Sequence, residues 1–133
     1  MSARKLASFA LCALLCAPGS LAAQPDDGSF QSGERYLERN GEAVFKDICA
    51  ACHMPDGSGA TGAARYPALK ANTKLAAAAY PVFMVVNGKG AMPSFARTLT
   101  DEQIAGVVNY VRTHFGNDYK DAVAPAEVKS ARP

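Results

Sequence analysis

Cys49-Ala50-Ala51-Cys52-His53 constrains this chain more than any other stretch, because few chemistries use two thiols and an imidazole within so short a span. Thiols at this spacing suit thioether bonds to two vinyl groups on one edge of a haem, and His53 then falls under the iron as proximal ligand. Three other readings compete. A zinc site wants four nitrogen or sulfur donors in a tetrahedral array, and beyond the N-terminal segment the chain offers only Cys49, Cys52, His53 and His114. A thioredoxin-like redox pair belongs beside a βαβ pattern, which the sequence lacks. A disulfide between Cys49 and Cys52 would close too small a loop to stabilise much. One covalently attached haem c, held by Cys49 and Cys52, is the reading these residues favour.

Arg4 and Lys5 precede an apolar run from Leu6 to Ala17, then Pro18-Gly19 and Ser20-Leu21-Ala22. This is the pattern of a secretory signal, with cleavage expected after Ala22 or Ala23, so residues 1–23 are read as a signal peptide and the mature protein as periplasmic. The run is short for the ~30 Å of a bilayer core, which weighs against an uncleaved anchor. Leu15 stands where lipoprotein processing at Cys16 would want a small residue. Cleavage removes Cys12 and Cys16 and leaves the thiols of the motif. An exported chain without spare cysteines is not a disulfide-stapled fold, and a domain this small buries a limited core. A covalently held haem would supply the missing apolar centre, so the haem-free chain is expected to be largely unfolded.

Charge is informative once the chain is divided. The formal net charge of +2 resides in Arg4 and Lys5, so the mature chain is neutral. Acids dominate from Gln24 to Asp56, whereas none occurs between Gly57 and Thr100, a stretch that carries Arg65, Lys70, Lys74, Lys89 and Arg97. These cations are thinly spread and lack interleaved aromatics, which argues against nucleic acid as partner. They form either an ordinary solvated surface or a field that steers an acidic redox protein, with Lys70, Lys74, Lys89 and Arg97 around the haem edge.

Residues 24–39 read as an N-terminal extension, 40–116 as the folded domain and 117–133 as a C-terminal tail. Apolar residues at Val44, Phe45 and Ile48 predict a helix from about Asn40 into Cys49. A small-residue loop, Met54 to Ala64, follows. The stretch 76–86 is a further helix candidate, in which Pro81 is tolerated if the helix begins near Tyr80 and Asn87-Gly88 ends it. The last helix is the best signalled. Thr100 is its N-cap, Gln103 completes a capping box, Leu99 and Ile104 form a hydrophobic staple, and Gly116 follows its final turn. Ile104, Val107, Val108, Val111 and Phe115 make its apolar stripe. Beyond Gly116 a short turn of helix near Ala126 and disorder both suit the composition.

The identity of the iron's sixth ligand separates electron transfer from ligand chemistry. Met54 is next to the proximal ligand and cannot reach round the ring. Met84 lies in an apolar helix, where a thioether more often fills core. Met92 sits in Gly88-Lys89-Gly90-Ala91-Met92-Pro93, whose glycines permit close approach and whose proline stiffens the backbone. His114 is the rival donor, placed in the last turn of the final helix where a cation meets the dipole favourably.

Cys49 to His53, then Pro67 and Leu69, then Met92-Pro93 before a final amphipathic helix occur in the order found in class I cytochromes c, and over roughly Asn40 to Gly116 the chain resembles the small bacterial monohaem kind. The resemblance implies an all-α fold of three to four short helices around one covalently bound haem, with crossed N- and C-terminal helices. Gly41 and Phe45 would meet Val107 and Tyr110 at that crossing. It also implies His53 and Met92 as axial ligands, the Pro67 carbonyl as acceptor for the proximal imidazole, and Leu69 packed on the haem. The implied function is non-enzymatic one-electron carriage between a dehydrogenase or respiratory donor and an acceptor such as a terminal oxidase or another cytochrome. The chain is similar, more loosely, to cytochrome subunits of periplasmic dehydrogenases. Pro81 and the tail depart from the pattern. The alternative class is a haem enzyme, such as a peroxidase or thiosulfate-type oxidoreductase, or a ligand-binding sensor, each with an open sixth site. No distal His, Arg or carboxylate is evident near Met92 to assist such chemistry.

Overall fold

A single helical run leads from Gly41 to His53, and its hydrogen-bond pattern changes twice on the way. Segment α1 (Gly41–Val44) is α-helical, Phe45–Cys49 form a π-helical turn, and α2 (Ala50–His53) resumes the α-helix. The computed structural model describes residues 40–133 apart from residue 63, so the signal peptide and the N-terminal extension expected over 1–39 lie outside the described residues. Asn40 begins the helix as its N-cap, its side chain accepting from the Ala43 amide at 3.1 Å. The start near Asn40 follows from that local chemistry. The π turn carries no comparable signature.

After α2 the chain makes a minimal antiparallel hairpin, β1 (Ala60–Thr61) with β2 (Arg65–Tyr66), pairing Ala60 with Tyr66 and Thr61 with Arg65. This pairing lies in and just beyond the stretch read as an irregular loop, and strands this short leave the fold predominantly helical. A 3-10 turn (Thr73–Ala76) precedes α3 (Ala79–Asn87). Pro81 falls in the first turn of α3, where its missing N–H forfeits no intrahelical bond. Gly88 ends α3 at φ 72°, its amide donating to the Met84 carbonyl at 2.9 Å.

Helix α4 (Asp101–Thr113) starts as its sequence predicts. The Gln103 amide donates to Thr100 Oγ1 at 3.3 Å and the Thr100 amide to Gln103 Oε1 at 2.9 Å, while Leu99 and Ile104 are buried beside this capping box. Val107, Val108 and Val111 join Val44, Phe45, Leu75, Val82 and Val86 in one core. Helix α1 crosses α4 at Gly41, and Phe45 packs its ring 5.6 Å from Tyr110 and 4.8 Å from Phe115.

The C-terminal residues are packed against this core. Helix α5 (Pro125–Ala131) follows a segment whose Val123 exchanges two hydrogen bonds with the Asn109 side chain, at 2.7 and 3.0 Å, and Val123 and Val128 are buried. Arg132 Nε reaches Asp101 at the start of α4 at 2.5 Å. The polar composition of 117–133 therefore covers a clasp anchored at both ends of α4.

Candidate haem site

The sequence reads Cys49, Cys52, His53, Pro67, Leu69 and Met92 as site residues, and the structure brings all of them to the wall of one cavity of about 470 Å³. That volume lies within the ~300–1,000 Å³ typical of cofactor and ligand sites. Leu75 and Val85 form part of its apolar lining, and Val107, Val108 and Val111 of α4 form its back. The helix stripe that builds the core thus also builds the cavity, so cofactor and core share one apolar interior.

His53 closes α2 and is held from outside its own helix. Its Nδ1 donates to the Pro67 carbonyl at 2.9 Å. A hydrogen bond of this kind fixes the tautomer, leaving Nε2 with its lone pair. The loop between these partners is short and internally tied. The Gly59 amide donates to the His53 carbonyl and the Gly57 amide to the Met54 carbonyl, both at 3.0 Å, while the Gly57 carbonyl accepts from Leu69 at 2.8 Å and Lys70 at 2.9 Å. Gly57 needs its φ of +70° and its missing side chain, since a Cβ there would lie 2.9 Å from the Phe115 ring. Met54, directly after His53, holds φ 65° and ψ 151°, a region that side-chain-bearing residues seldom occupy.

Met92 approaches from the loop after α3. That loop is cinched by reciprocal bonds between Lys89 and Met92, the Lys89 amide donating at 2.9 Å and the Met92 amide at 3.1 Å. Ser94 Oγ donates to the Val86 carbonyl at 2.5 Å, and the Phe95 amide to the Val85 carbonyl at 3.0 Å, which ties the loop to α3. Met84 lines the same cavity, while Met54 does not. His114 stands away from it. Its ring stacks on Tyr110 with centroids 4.0 Å apart, and its Nδ1 donates to the Tyr110 carbonyl at 2.8 Å.

The two motif cysteines form no disulfide with each other, Cys49 being half-buried and Cys52 exposed. Burial pushes the Cys49 thiol up to about 11, with the neighbouring Cys52 adding to the shift. Among the described residues no group of three or more His, Cys, Asp or Glu side chains is placed to hold a metal ion, which a zinc site would require. Two cysteines at the cavity edge, an imidazole with its outer nitrogen engaged, an apolar wall and a thioether fit one covalently held haem.

The charged residues on the cavity wall, apart from the motif, are Arg65 and Lys89, and no carboxylate lines it among the described residues. Lys89 belongs to the set expected around the haem edge; Lys70, Lys74 and Arg97 do not line the cavity. Arg65 and Tyr80 do line it, and no local pattern singled them out. Arg112 also escaped sequence reasoning. It looks like an exposed charge at the end of an amphipathic helix, yet it is 0% exposed.

Comparisons with known proteins agree with this geometry. The family described as cytochrome C oxidase, cbb3-type, subunit III matches residues 37–111, more than half of the chain. Cytochrome c6 of Leptolyngbya boryana is 47% identical over 73 residues, covering 53% of this chain and 85% of that protein. The fructose dehydrogenase cytochrome subunit of Gluconobacter japonicus is 36% identical over 108 residues, 70% of this chain. The gluconate 2-dehydrogenase cytochrome c subunit of Pantoea cypripedii is 34% identical over 109 residues, 71% of this chain. The chain spans only 22% and 24% of the length of those two dehydrogenase subunits. By family match, by fold and by the residues on its cavity wall, the chain belongs to this cytochrome c family and is a class I c-type cytochrome with haem c as its cofactor.

Proposed function

We propose that this cytochrome is a periplasmic one-electron carrier, with Cys49 and Cys52 as thioether donors and His53 and Met92 as axial ligands. The observation that carries this reading is the His53–Pro67 hydrogen bond, which presents Nε2, together with Met92 on the wall of the same cavity. Bound haem supplies a one-electron iron couple. The chain's residues tune and guard it. A polarisable thioether from Met92 favours the reduced state, and the apolar wall of Leu75, Val85, Val107, Val108 and Val111 excludes water and disfavours the extra charge of the oxidised state. Among the described residues the cavity wall supplies no carboxylate to act as general acid or base, which favours carriage over catalysis.

The partners follow from the same surface. Arg65 and Lys89 at the cavity favour an acidic redox protein, a dehydrogenase on the donor side and an oxidase or another cytochrome on the acceptor side, with association slowing as salt rises. Among the described residues no helix is long and apolar enough to cross a membrane. The test is optical. Exported protein should give a low-spin spectrum with the far-red band of sulfur-ligated ferric haem, indifferent to carbon monoxide in the reduced form, and Met92→Ala should abolish both properties. A high-spin wild type that binds carbon monoxide at once would replace the carrier with the sensor or enzyme reading.

A further inference from the structure

Arg112 is a permanent cation with 0% side-chain exposure, and its carboxylate partner, Asp121, is 69% exposed. Its Nε donates to the Leu75 carbonyl at 2.9 Å and one terminal nitrogen to the Ala76 carbonyl at 3.2 Å. That same nitrogen holds both carboxylate oxygens of Asp121, at 2.7 and 2.8 Å, and the other donates to the Asp121 carbonyl. Leu75, to which the guanidinium is bonded, lines the haem cavity, as do Val108 and Val111 on Arg112's own helix. A fixed positive charge therefore lies close behind the cavity wall, and among the described residues its carboxylate partner is the exposed Asp121.

We infer that the Arg112–Asp121 pair sets the reduction potential of this cytochrome and couples it to protons, Arg112 acting as a buried cation whose field is gated by the exposed Asp121 carboxylate. The inference rests on the electron-carrier reading above. The oxidised iron carries one positive charge more than the reduced, so an unmasked cation behind the wall disfavours oxidation and a masked one does not. When an outside donor gives up one electron and the iron gains it, the local charge falls by one. Asp121 then binds protons more readily and takes up a fraction of one from water, by the reciprocity of linked equilibria.

Other charged groups on the packed elements are poorly placed for this role. Lys74 on the 3-10 turn is exposed, Asp118 and Lys120 on the clasp pair with each other, and Glu127 on α5 accepts from the Ala124 amide at 2.7 Å, beside exposed Lys129. Tyr119 lies under the guanidinium, 5.8 Å from ring centroid to Arg112 Cζ. The Arg112 guanidinium also holds Asp121 below the usual carboxylate range, so the proton coupling falls on the acid side of neutrality.

The experiment is redox titration of the haem-loaded protein at pH 7 for wild type, Asp121→Asn, Asp121→Glu and Arg112→Met, with thermal melts alongside. Asp121→Asn keeps the shape of the side chain and leaves the cation unmasked, so the potential should rise. Arg112→Met leaves an uncompensated carboxylate, so it should fall. In each direction the reduced-to-oxidised ratio at fixed applied potential should change roughly threefold, the size of one partly screened charge. Asp121→Glu should restore the wild-type value. A merely structural pair predicts something different: both variants loosen the wall, admit water and lower the potential together. That result, or an unchanged potential in Asp121→Asn, overturns the inference. Should Arg112→Met fail to hold haem, the sign of the Asp121→Asn shift still decides. A wild type with no reversible one-electron couple would defeat the carrier reading itself, whereas a normal couple deaf to Asp121 defeats only this inference.

Discussion

Gly41 and Gly106 meet backbone to backbone where α1 crosses α4, so closely that a Cβ on Gly41 would stand 1.9 Å from the Gly106 carbonyl oxygen. No rotamer relieves that overlap, because the obstacle is main chain. Gly41→Ala should force the helices apart and destabilise the haem-loaded protein by at least the ~1–3 kcal/mol of ordinary overpacking. Denaturant titration reads the loss. Gly106→Ala, whose added Cβ would stand 3.4 Å from the Gly41 nitrogen and 3.5 Å from its Cα, should be much milder.

Removal of the cofactor should unfold the domain. An empty site of about 470 Å³ would leave its apolar lining, with Val107, Val108 and Val111 of α4, facing water in a domain that has little other core. Water entering the void spares none of its apolar lining. Cys49→Ala/Cys52→Ala, produced without haem, should lose most helical signal in far-ultraviolet circular dichroism. Retention of a cooperative melt would contradict this.

The C-terminal clasp should matter as much as a core element. Val128 is 0% exposed, and Val128→Ala should cost about 1–2 kcal/mol, from the apolar surface lost. Truncation after Gly116 does more, because it removes the only carboxylate bound to the buried Arg112 among the described residues. It also strips Val123 and Val128 from the core, and a fall in the urea-unfolding free energy extrapolated to water larger than that of Val128→Ala is the expected result.

Acid should loosen the same clasp. Hydrogen bonding from Arg112, reinforced by its charge, lowers the folded pKa of Asp121 beneath its ordinary value of 3.8. Stability from this carboxylate is therefore fully present above the ordinary value and is lost as pH falls through the lowered one. Amide exchange over 122–131 should speed up across that acid window in wild type. In Asp121→Asn it should be raised already at pH 6 and change less on acidification.

Most of the haem site was legible because its signals are local. The thiol spacing, the capping box from Thr100 to Gln103 and the Gly88 stop of α3 each lie within one turn of chain, where the residue type dictates the bond. The Pro67 acceptor came through family resemblance, since a carbonyl has no side-chain signature. The Arg112 clamp was illegible for the same reason at longer range: its acceptors are main-chain oxygens 36 and 37 residues away and a carboxylate 9 residues on. Period and polarity alone made 117–133 a tail and gave no reason to single out Arg112, whereas tertiary packing makes the first a clasp and buries the second. Gly106 was missed because a glycine inside a helix announces only a weakness, until the partner that needs the space is known.

The helix from Gly41 to His53 has two rotational settings to satisfy at once. Gly41 and Phe45 must face α4, while Cys49, Cys52 and His53 must face the cavity. An α-helix turns about 100° per residue, and the π-helical turn over Phe45–Cys49 is the stretch between them where the pitch departs from that value. The number of residues there is therefore under constraint independently of their chemistry. A single insertion or deletion would rotate one face against the other, separating the crossing from the cofactor even if every side chain on both faces were kept.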